Sequence, residues 1–558
     1  MISGRKLAYP LSLVLVLLLA FCVSASAPVF MDPKDVKAGM TGYGLTVFWG
    51  DEPETFDFSV IAVTKGDTSL ADMILVKVSG QKIDAIGGIA AGMSGSPCYI
   101  GGKLVGALSH VLEGPDPKIG VVTPMSVMVR LLEAGKLADS AKPFKVAGWG
   151  SFVPVATPVW VGGLGPRAQK ALEASLGLKG FALSPAMALG AGGMEDSNGT
   201  FAAGSSIAVQ MCNGDVEAGA IGTLTWTDGR NFLAFGHPML NIGSIEMPMS
   251  KSSVLAVLPS DSFPFKLGTF GKPAAVVTED RTYGLAGVIG KDAKMADVTV
   301  KASDMQTGRR KSATIRCLQD ERLISELIGS AVLSVMDGVT MRVGEGTVYL
   351  SVIIEAKQGS IFREEMIWSG SDVANEVTSE VSGMISLIAG NDAQAAEILK
   401  VQVNVDVAPS RMTSVIKGVT LPEGGFVAGQ TQSIGVVLKP FRGQEYTKMV
   451  DIDLPADIGP GPVSVTVYGG SSEDDEGSLD IVDKVGDVRG ISLEELLGRI
   501  STADQNNDLI IEIYSDAGSS EEDLPPEDGA YEQEPLYSGR IVLQSIIQGS
   551  AVEYSEVR

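Results

Sequence analysis

Histidine is almost missing from this chain: 558 residues contain two, His110 and His237. Cysteine is scarce as well, with four, and no pair stands in a Cys-x-x-Cys arrangement. Zinc sites need several imidazole or thiolate ligands at close spacing, so no metal site is expected, and no organic cofactor is implied. Positive charge is in deficit, 43 Lys+Arg against 67 Asp+Glu, for a formal net charge of −24. So acidic a chain is a poor ligand for phosphate backbones, which excludes nucleic acid as an expected partner. Aromatic residues make up 6%, few for a chain in which strands are expected to dominate. Tandem repeats are absent too.

What is present points to an exported, globular, strand-rich protein. Hydrophobic residues are 45% and charged residues 20%, the balance of chains with packed cores. The length suggests roughly three or four domains. The 67 glycines suit short strands joined by tight turns. Arg5 and Lys6 precede an apolar run over residues 11–23, which ends in Ser24-Ala25-Ser26-Ala27. That order predicts a secretory signal over residues 1–27 and a periplasmic, envelope or extracellular location. The run is short of the roughly 20 residues of a membrane span, and only an uncleaved signal would leave a membrane tether. Cys22 follows Phe21, where a lipidation signal wants a small residue. The remaining cysteines are Cys98, Cys212 and Cys317. An odd number cannot all pair, and a Cys212–Cys317 bridge is allowed but not required.

Residues 33–139 read as a β-barrel, with short strands over 33–112, where Phe56, Phe58 and Val60 alternate with polar neighbours. A helix is expected to start at Thr123-Pro124 and stop at Gly135. Residues 140–205 read as a connecting region with one helix from Pro166. Strands return over 206–320, with turns at Asn213-Gly214 and Asp228-Gly229. Residues 321–399 read as an α/β segment with helices near 318–336 and 372–389. Alternation over 400–470 suggests a β-sandwich. Residues 471–558 read as an acidic linker, a small helix–strand element and an acidic tail, disordered over 516–536.

The segment that carries chemistry is Gly92-Met93-Ser94-Gly95-Ser96-Pro97. It is similar to the Gly-x-Ser-Gly-Gly-Pro turn of trypsin-like serine peptidases. Glycines there let the chain turn tightly enough for the backbone N–H groups of Gly92 and Ser94 to converge as an oxyanion hole. A serine nucleophile needs a base, and the chain offers only His110 and His237. His110 ends the strand that leaves the serine turn, and reads as a structural histidine.

Two longer motifs sharpen this. Residues 87–97 read Gly-Gly-Ile-Ala-Ala-Gly-Met-Ser-Gly-Ser-Pro, followed by Gly102-Lys103 and Gly106-Ala107-Leu108-Ser109-His110-Val111. Residues 218–225 read Ala-Gly-Ala-Ile-Gly-Thr-Leu-Thr and precede Leu233-Ala234-Phe235-Gly236-His237. Together they resemble the serine and histidine motifs of the SpoIVB peptidase family, over roughly 33–135 and 206–316. The resemblance implies Ser94 as nucleophile, His237 as general base and Ser109 as a supporting hydroxyl, standing where the family has threonine. It implies a protein or peptide substrate. The chain departs from that family's pattern in placing its serine motif before its histidine motif. The family's aspartate falls at Ser79, leaving Asp280 and, beside it, Asp84 as candidates for the acid. No PDZ-like module is evident. The expected fold is mainly β: a trypsin-like two-barrel peptidase domain in circularly permuted order, then an α/β segment and a β-sandwich. The competing expectation is a catalytically inactive relative, with the barrels serving as a binding or scaffold module of the cell envelope. A spore or outer-envelope structural protein has no coiled coil or repeat to support it.

Overall fold

Alternating burial builds the first barrel. In β2 (Glu54–Thr64) the side chains of Phe56, Phe58 and Val60 are buried while Thr55 and Asp57 are exposed. One face of the strand therefore enters a core and the other meets solvent. The computed structural model describes residues 29–64, 73–112, 116–133, 144–146, 150–154, 159–178, 200–259, 264–471, 480–515 and 535–558. The expected signal (1–27), most of the acidic linker and nearly all of the acidic tail lie outside the described residues. With β1 (Thr41–Thr46), β3 (Met73–Ser79), β4 (Pro97–Ile100), β5 (Lys103–Leu112) and β6 (Ile119–Pro124), β2 forms a sheet in the order β4-β1-β2-β3-β6-β5. A further β4–β5 pairing closes it into a six-strand barrel. Helix α1 (Gln81–Ile86) ends at Gly87 in the left-handed region and delivers the chain to the serine turn. The helix expected at Thr123-Pro124 does begin there. It is a single turn, α2 (Met125–Met128), continued by a 3-10 turn over Val129–Leu132.

β7 (Phe144–Val146) and β8 (Gly150–Pro154) extend the first sheet beside β5, and β9 (Val159–Gly162) joins the second. The connecting region thus holds strands that serve two different sheets. Helix α3 (Pro166–Leu178) follows.

The second barrel repeats the closure. Its strands are β10 (Ser206–Gly214), β11 (Glu217–Thr227), β12 (Asn231–Ala234), β13 (Gly243–Lys251), β16 (Ala275–Arg281) and β17 (Gly284–Ile289). They run in the order β10-β13-β16-β17-β12-β11, and β11 pairs back to β10. Between β13 and β16 a hairpin, β14 (Val254–Leu258) and β15 (Phe265–Gly268), leaves the barrel wall. The barrels meet through an apolar cluster. Leu104, Ala107, Met125, Met128 and Leu131 of the first pack with Leu233 and Ala286 of the second.

β10 carries the sheet onward through β19 (Arg310–Leu318) and β18 (Met295–Asp304) to β22 (Ile398–Ala408), β20 (Gly346–Ala356) and β21 (Gly359–Ser369). Helices α4 (Ile324–Thr340) and α5 (Val373–Ala389) bury apolar faces in the same core as the second barrel. Cys212 and Cys317 sit opposite each other on β10 and β19 as buried thiols. The hydrogen bond with Cys212 and, after it, burial hold the Cys317 thiol well above its usual range.

Here the structure corrects the sequence reading. Residues 398–408 belong not to a sandwich but to this large sheet, parallel to β18 and antiparallel to β20. Period-two alternation identifies a strand with one buried face; it does not say which sheet supplies the partners. The sandwich is instead β23 (Thr413–Thr420), β24 (Thr431–Pro440), β25 (Tyr446–Asp453) and β26 (Gly461–Gly469) with strands from the C-terminal stretch. Helices α6 (Ile481–Val485) and α7 (Leu493–Thr502) intervene before β27 (Asp508–Ser515), β28 (Tyr537–Val542), β29 (Ile546–Gln548) and β30 (Ser550–Val557). Its two sheets run β25-β24-β23-β29 and β28-β27-β26-β30 over a shared core. Among the described residues no helix is long and apolar enough to cross a membrane.

Candidate active site between the two barrels

The serine turn is held peptide by peptide. A trans peptide points its C=O and N–H in opposite directions, so anchoring one carbonyl aims the N–H of the same unit. The Ala91 carbonyl accepts from Lys266 N–H at 2.9 Å, which aims the Gly92 N–H the other way. The Met93 carbonyl accepts from Ser96 N at 3.0 Å and from Ser96 Oγ at 2.6 Å, which aims the Ser94 N–H. Neither of these two N–H groups donates to another described group. Gly92 (φ +90°) and Gly95 (φ +92°) supply the left-handed geometry.

The second barrel grips this turn from the other side. Thr223 N–H donates to the Ser94 carbonyl at 2.8 Å, Thr223 Oγ1 to the Gly92 carbonyl at 2.9 Å, and Thr225 Oγ1 to the Gly95 carbonyl at 2.8 Å. The approach is close enough that a Cβ on Gly95 would lie 2.0 Å from the Thr223 carbonyl oxygen. The Thr-x-Thr of β11 was visible in the sequence as two hydroxyls on an apolar strand, but its role as a clamp was not. Ser94 is fully buried, and its Oγ has no hydrogen-bond partner. An unsatisfied buried hydroxyl costs about 1–3 kcal/mol, and such groups call for a functional account.

His237 reaches the first barrel by a strained approach. Phe235, a non-glycine residue, has φ +66°, and Gly236 follows at +72°. A Cβ on Gly236 would meet Ala107 and Ser109 of β5 at 2.9 and 3.0 Å. The Gly236 carbonyl accepts from Thr123 Oγ1 at 2.8 Å. His237 Nδ1 lies 2.7 Å from the Pro238 carbonyl. A carbonyl can only accept, so Nδ1 carries the proton and Nε2 keeps its lone pair. That is the tautomer a general base needs.

Ser109 Oγ is 2.8 Å from Thr123 Oγ1, 2.8 Å from His110 Nδ1 and 3.1 Å from the Val121 carbonyl. It therefore ties His110 to the residue that holds the His237 loop. His110 stands edge-on to His237 with ring centroids 6.2 Å apart. Burial and, secondarily, His237 push the His110 pKa down to about 3, so it stays neutral at physiological pH.

Asp280, on β16, is fully buried and accepts from Met239 N–H at 2.8 Å and Leu240 N–H at 2.7 Å. It thus holds the loop that begins just after His237. Burial raises its pKa to about 6 against the opposing pull of backbone N–H groups of residues 239–242. Asp280→Ala would leave the Met239 and Leu240 donors without this acceptor. A stability loss of about 2–4 kcal/mol is expected in urea denaturation. Asp84, the other acid weighed from sequence, is on α1, largely exposed and ion-paired with Lys118 at 2.7 Å; it takes no part here. Cys98 packs into the first barrel core, 1% exposed, and burial pushes its thiol up to about 12. It is expected to resist alkylation in the folded protein and to react once denaturant is added, as followed by mass.

Lys266 was missed. It lies in β15 with no motif around it, and nothing in the sequence marks it as buried. Among the described residues no cluster of three or more potential metal ligands occurs.

Two closed six-strand barrels, with a serine turn of one gripped by the other, are consistent with the two-barrel trypsin-like peptidase fold. Residues 23–129 match the family model SpoIVB peptidase S55, which supports, over this segment, the resemblance to the SpoIVB-type serine peptidase family. The match contains Ser94 and the whole of β1–β6, and ends before the barrel that carries His237. No curated protein matches the chain.

Proposed function

We propose that this chain is an exported serine endopeptidase that hydrolyses peptide bonds through an acyl-enzyme on Ser94. The observation that carries the reading is the docking of Thr223, Thr225 and Gly236 onto the serine barrel, with His237 in the base tautomer. Serine precedes histidine in the chain, a permuted order that a site lying between barrels tolerates, because catalysis needs proximity and not sequence order.

In this mechanism Ser94 Oγ attacks the substrate carbonyl carbon and its proton passes to His237 Nε2. The Gly92 and Ser94 N–H groups stabilise the oxyanion. The C–N bond breaks as His237 returns the proton to the leaving amine. Water, deprotonated by His237, then attacks the ester, and Ser94 leaves with that proton. The Pro238 carbonyl, accepting from Nδ1, stabilises the imidazolium. Asp280 orients the loop beyond His237. Export rests on the apolar run and small-residue boundary of the first 27 residues.

The full burial of Ser94 favours a second reading, an inactive envelope scaffold or a closed state opened by a partner. A fluorophosphonate probe distinguishes these, since it labels only serines activated by a base. Intact mass is expected to rise by one probe adduct on the folded wild type. A folded protein that takes up no probe would leave the peptidase reading without support.

A further inference from the structure

Lys266 is 1% exposed. Its side chain crosses from the second barrel's hairpin into the first. The aliphatic stem covers Gly92, where a Cβ would stand 3.0–3.2 Å from Lys266 Cδ, Cβ and Cγ. The nitrogen donates to Thr46 Oγ1 on β1 at 2.7 Å. Thr46 Oγ1 is 3.5 Å from Thr223 Oγ1, and Thr223 Oγ1 donates to the Gly92 carbonyl. The hairpin is docked by backbone bonds on both sides of this relay. Gly50 and Val254 exchange N–H···O bonds at 2.8 and 2.9 Å, and Ala91 N–H donates to the Pro264 carbonyl at 2.7 Å.

We propose that Lys266 is a positioning residue of the oxyanion hole, its ammonium holding the Gly92–Met93 peptide through Thr46 and Thr223. The inference rests on the peptidase reading above and extends it. The logic is one of direction. An ammonium has no lone pair and can only donate, while the Gly92 carbonyl can only accept. With Lys266 protonated, every hydrogen in the relay must point the same way, from Nζ to Thr46, to Thr223, to Gly92. A neutral amine can also accept from Thr46, which lets the relay reverse and frees the Gly92 carbonyl. That peptide lies between the two units that carry the Gly92 and Ser94 N–H groups, so its rotation changes the angle between the two donors.

The groups facing Lys266 are Thr46 from β1, Gly92 from the serine turn and, behind Thr46, Thr223 from β11. None ionises, and among the described residues no ion pair includes Lys266. Burial with no counter-charge brings its pKa down to about 7. Oxyanion positioning is therefore present below about pH 7 and lost above it. The stability effect has the opposite sense. The folded pKa lies below the ordinary lysine value, so burying the amine costs stability at and below about pH 7. That cost fades as pH rises from about 7 toward 10.5.

The test uses the full chain as wild type, Lys266→Met and Thr46→Val. Met keeps the apolar stem and removes the charge; Val keeps the shape of Thr46 and removes the hydroxyl. Fluorophosphonate labelling rates are followed from pH 5.5 to 9, with thermal unfolding alongside. Both variants are expected to label roughly tenfold to a hundredfold more slowly at pH 6.5, the range for one impaired oxyanion donor. Both should lose the decline in rate that the wild type shows above about pH 7. Lys266→Met should also melt higher than wild type at pH 6.5, with the difference shrinking toward pH 10. Packing alone predicts the reverse, a lower melting temperature with the wild-type pH profile retained, and that result overturns the proposal. Unchanged rates and profiles in both variants overturn it too, leaving the peptidase reading intact. No labelling of the wild type removes the peptidase reading and this inference with it. Should Lys266→Met not fold, Thr46→Val decides by the same criteria.

Discussion

Ser94→Ala is expected to abolish fluorophosphonate labelling, and His237→Ala to slow it by ~10³-fold or more. The sizes follow from the roles. Ser94 supplies the atom to which the probe bonds. In the proposed mechanism His237 supplies the Nε2 lone pair that takes the hydroxyl proton, and the chain has one other imidazole, His110, held neutral with Nδ1 against Ser109. The double variant should behave as Ser94→Ala alone, since groups acting as one unit are not additive. His110→Ala provides the contrast. If His110 only braces its neighbour, labelling should fall by about tenfold or less. A His110→Ala loss as large as that of His237→Ala would transfer the base assignment to His110. Intact mass over time, with far-UV circular dichroism to confirm folding, reads all four proteins.

Gly95→Ala is expected to cost about 3 kcal/mol or more in stability and to lower labelling by ~10²-fold or more. An added Cβ would stand 2.0 Å from the Thr223 carbonyl oxygen and 2.5 Å from the Phe235 nitrogen. Both are backbone atoms of the second barrel, so no side-chain rotation relieves the clash. The barrels must separate, and the Thr225–Gly95 and Thr223–Ser94 hydrogen bonds separate with them. Gly101→Ala is the control. Gly101 has φ +57° and nothing within 4 Å of a built Cβ. It carries the backbone penalty of a left-handed residue, about 1 kcal/mol, without the collision. Equal losses in the two variants would mean that Gly95 matters for its φ alone, and that the barrel contact does not form in solution. Urea denaturation and labelling rates measured together decide this.

Several elements were legible in the residues themselves. Phe56, Phe58 and Val60 announced β2 by alternation, Asp228-Gly229 announced the β11–β12 turn, and Val373, Val377, Val381, Ile385 and Ile388 announced α5. These are local signals, set by the two- and 3.6-residue periods and by the φ that glycine tolerates. The serine turn was legible for the same reason, since a glycine-flanked turn is a property of consecutive residues. Partnership was not. The 398–408 strand reads identically whether it joins a sandwich or lies beside β18, because alternation reports a buried face and is silent on its neighbour. Lys266 illustrates the limit most clearly. A lysine between Phe265 and Leu267 on a hairpin strand is ordinarily a solvated charge. Only the docking of two closed barrels places it against Gly92 and Thr46, away from water. By itself the sequence determined the strand-rich class, the serine turn and the shortage of bases that left His110 and His237 as the candidates. The tertiary structure alone decided which hydroxyls grip that turn, that Asp280 braces the histidine loop, and that a buried amine lies against Gly92. Those contacts join residues more than 100 positions apart, or place a charge out of water, and no local period encodes either.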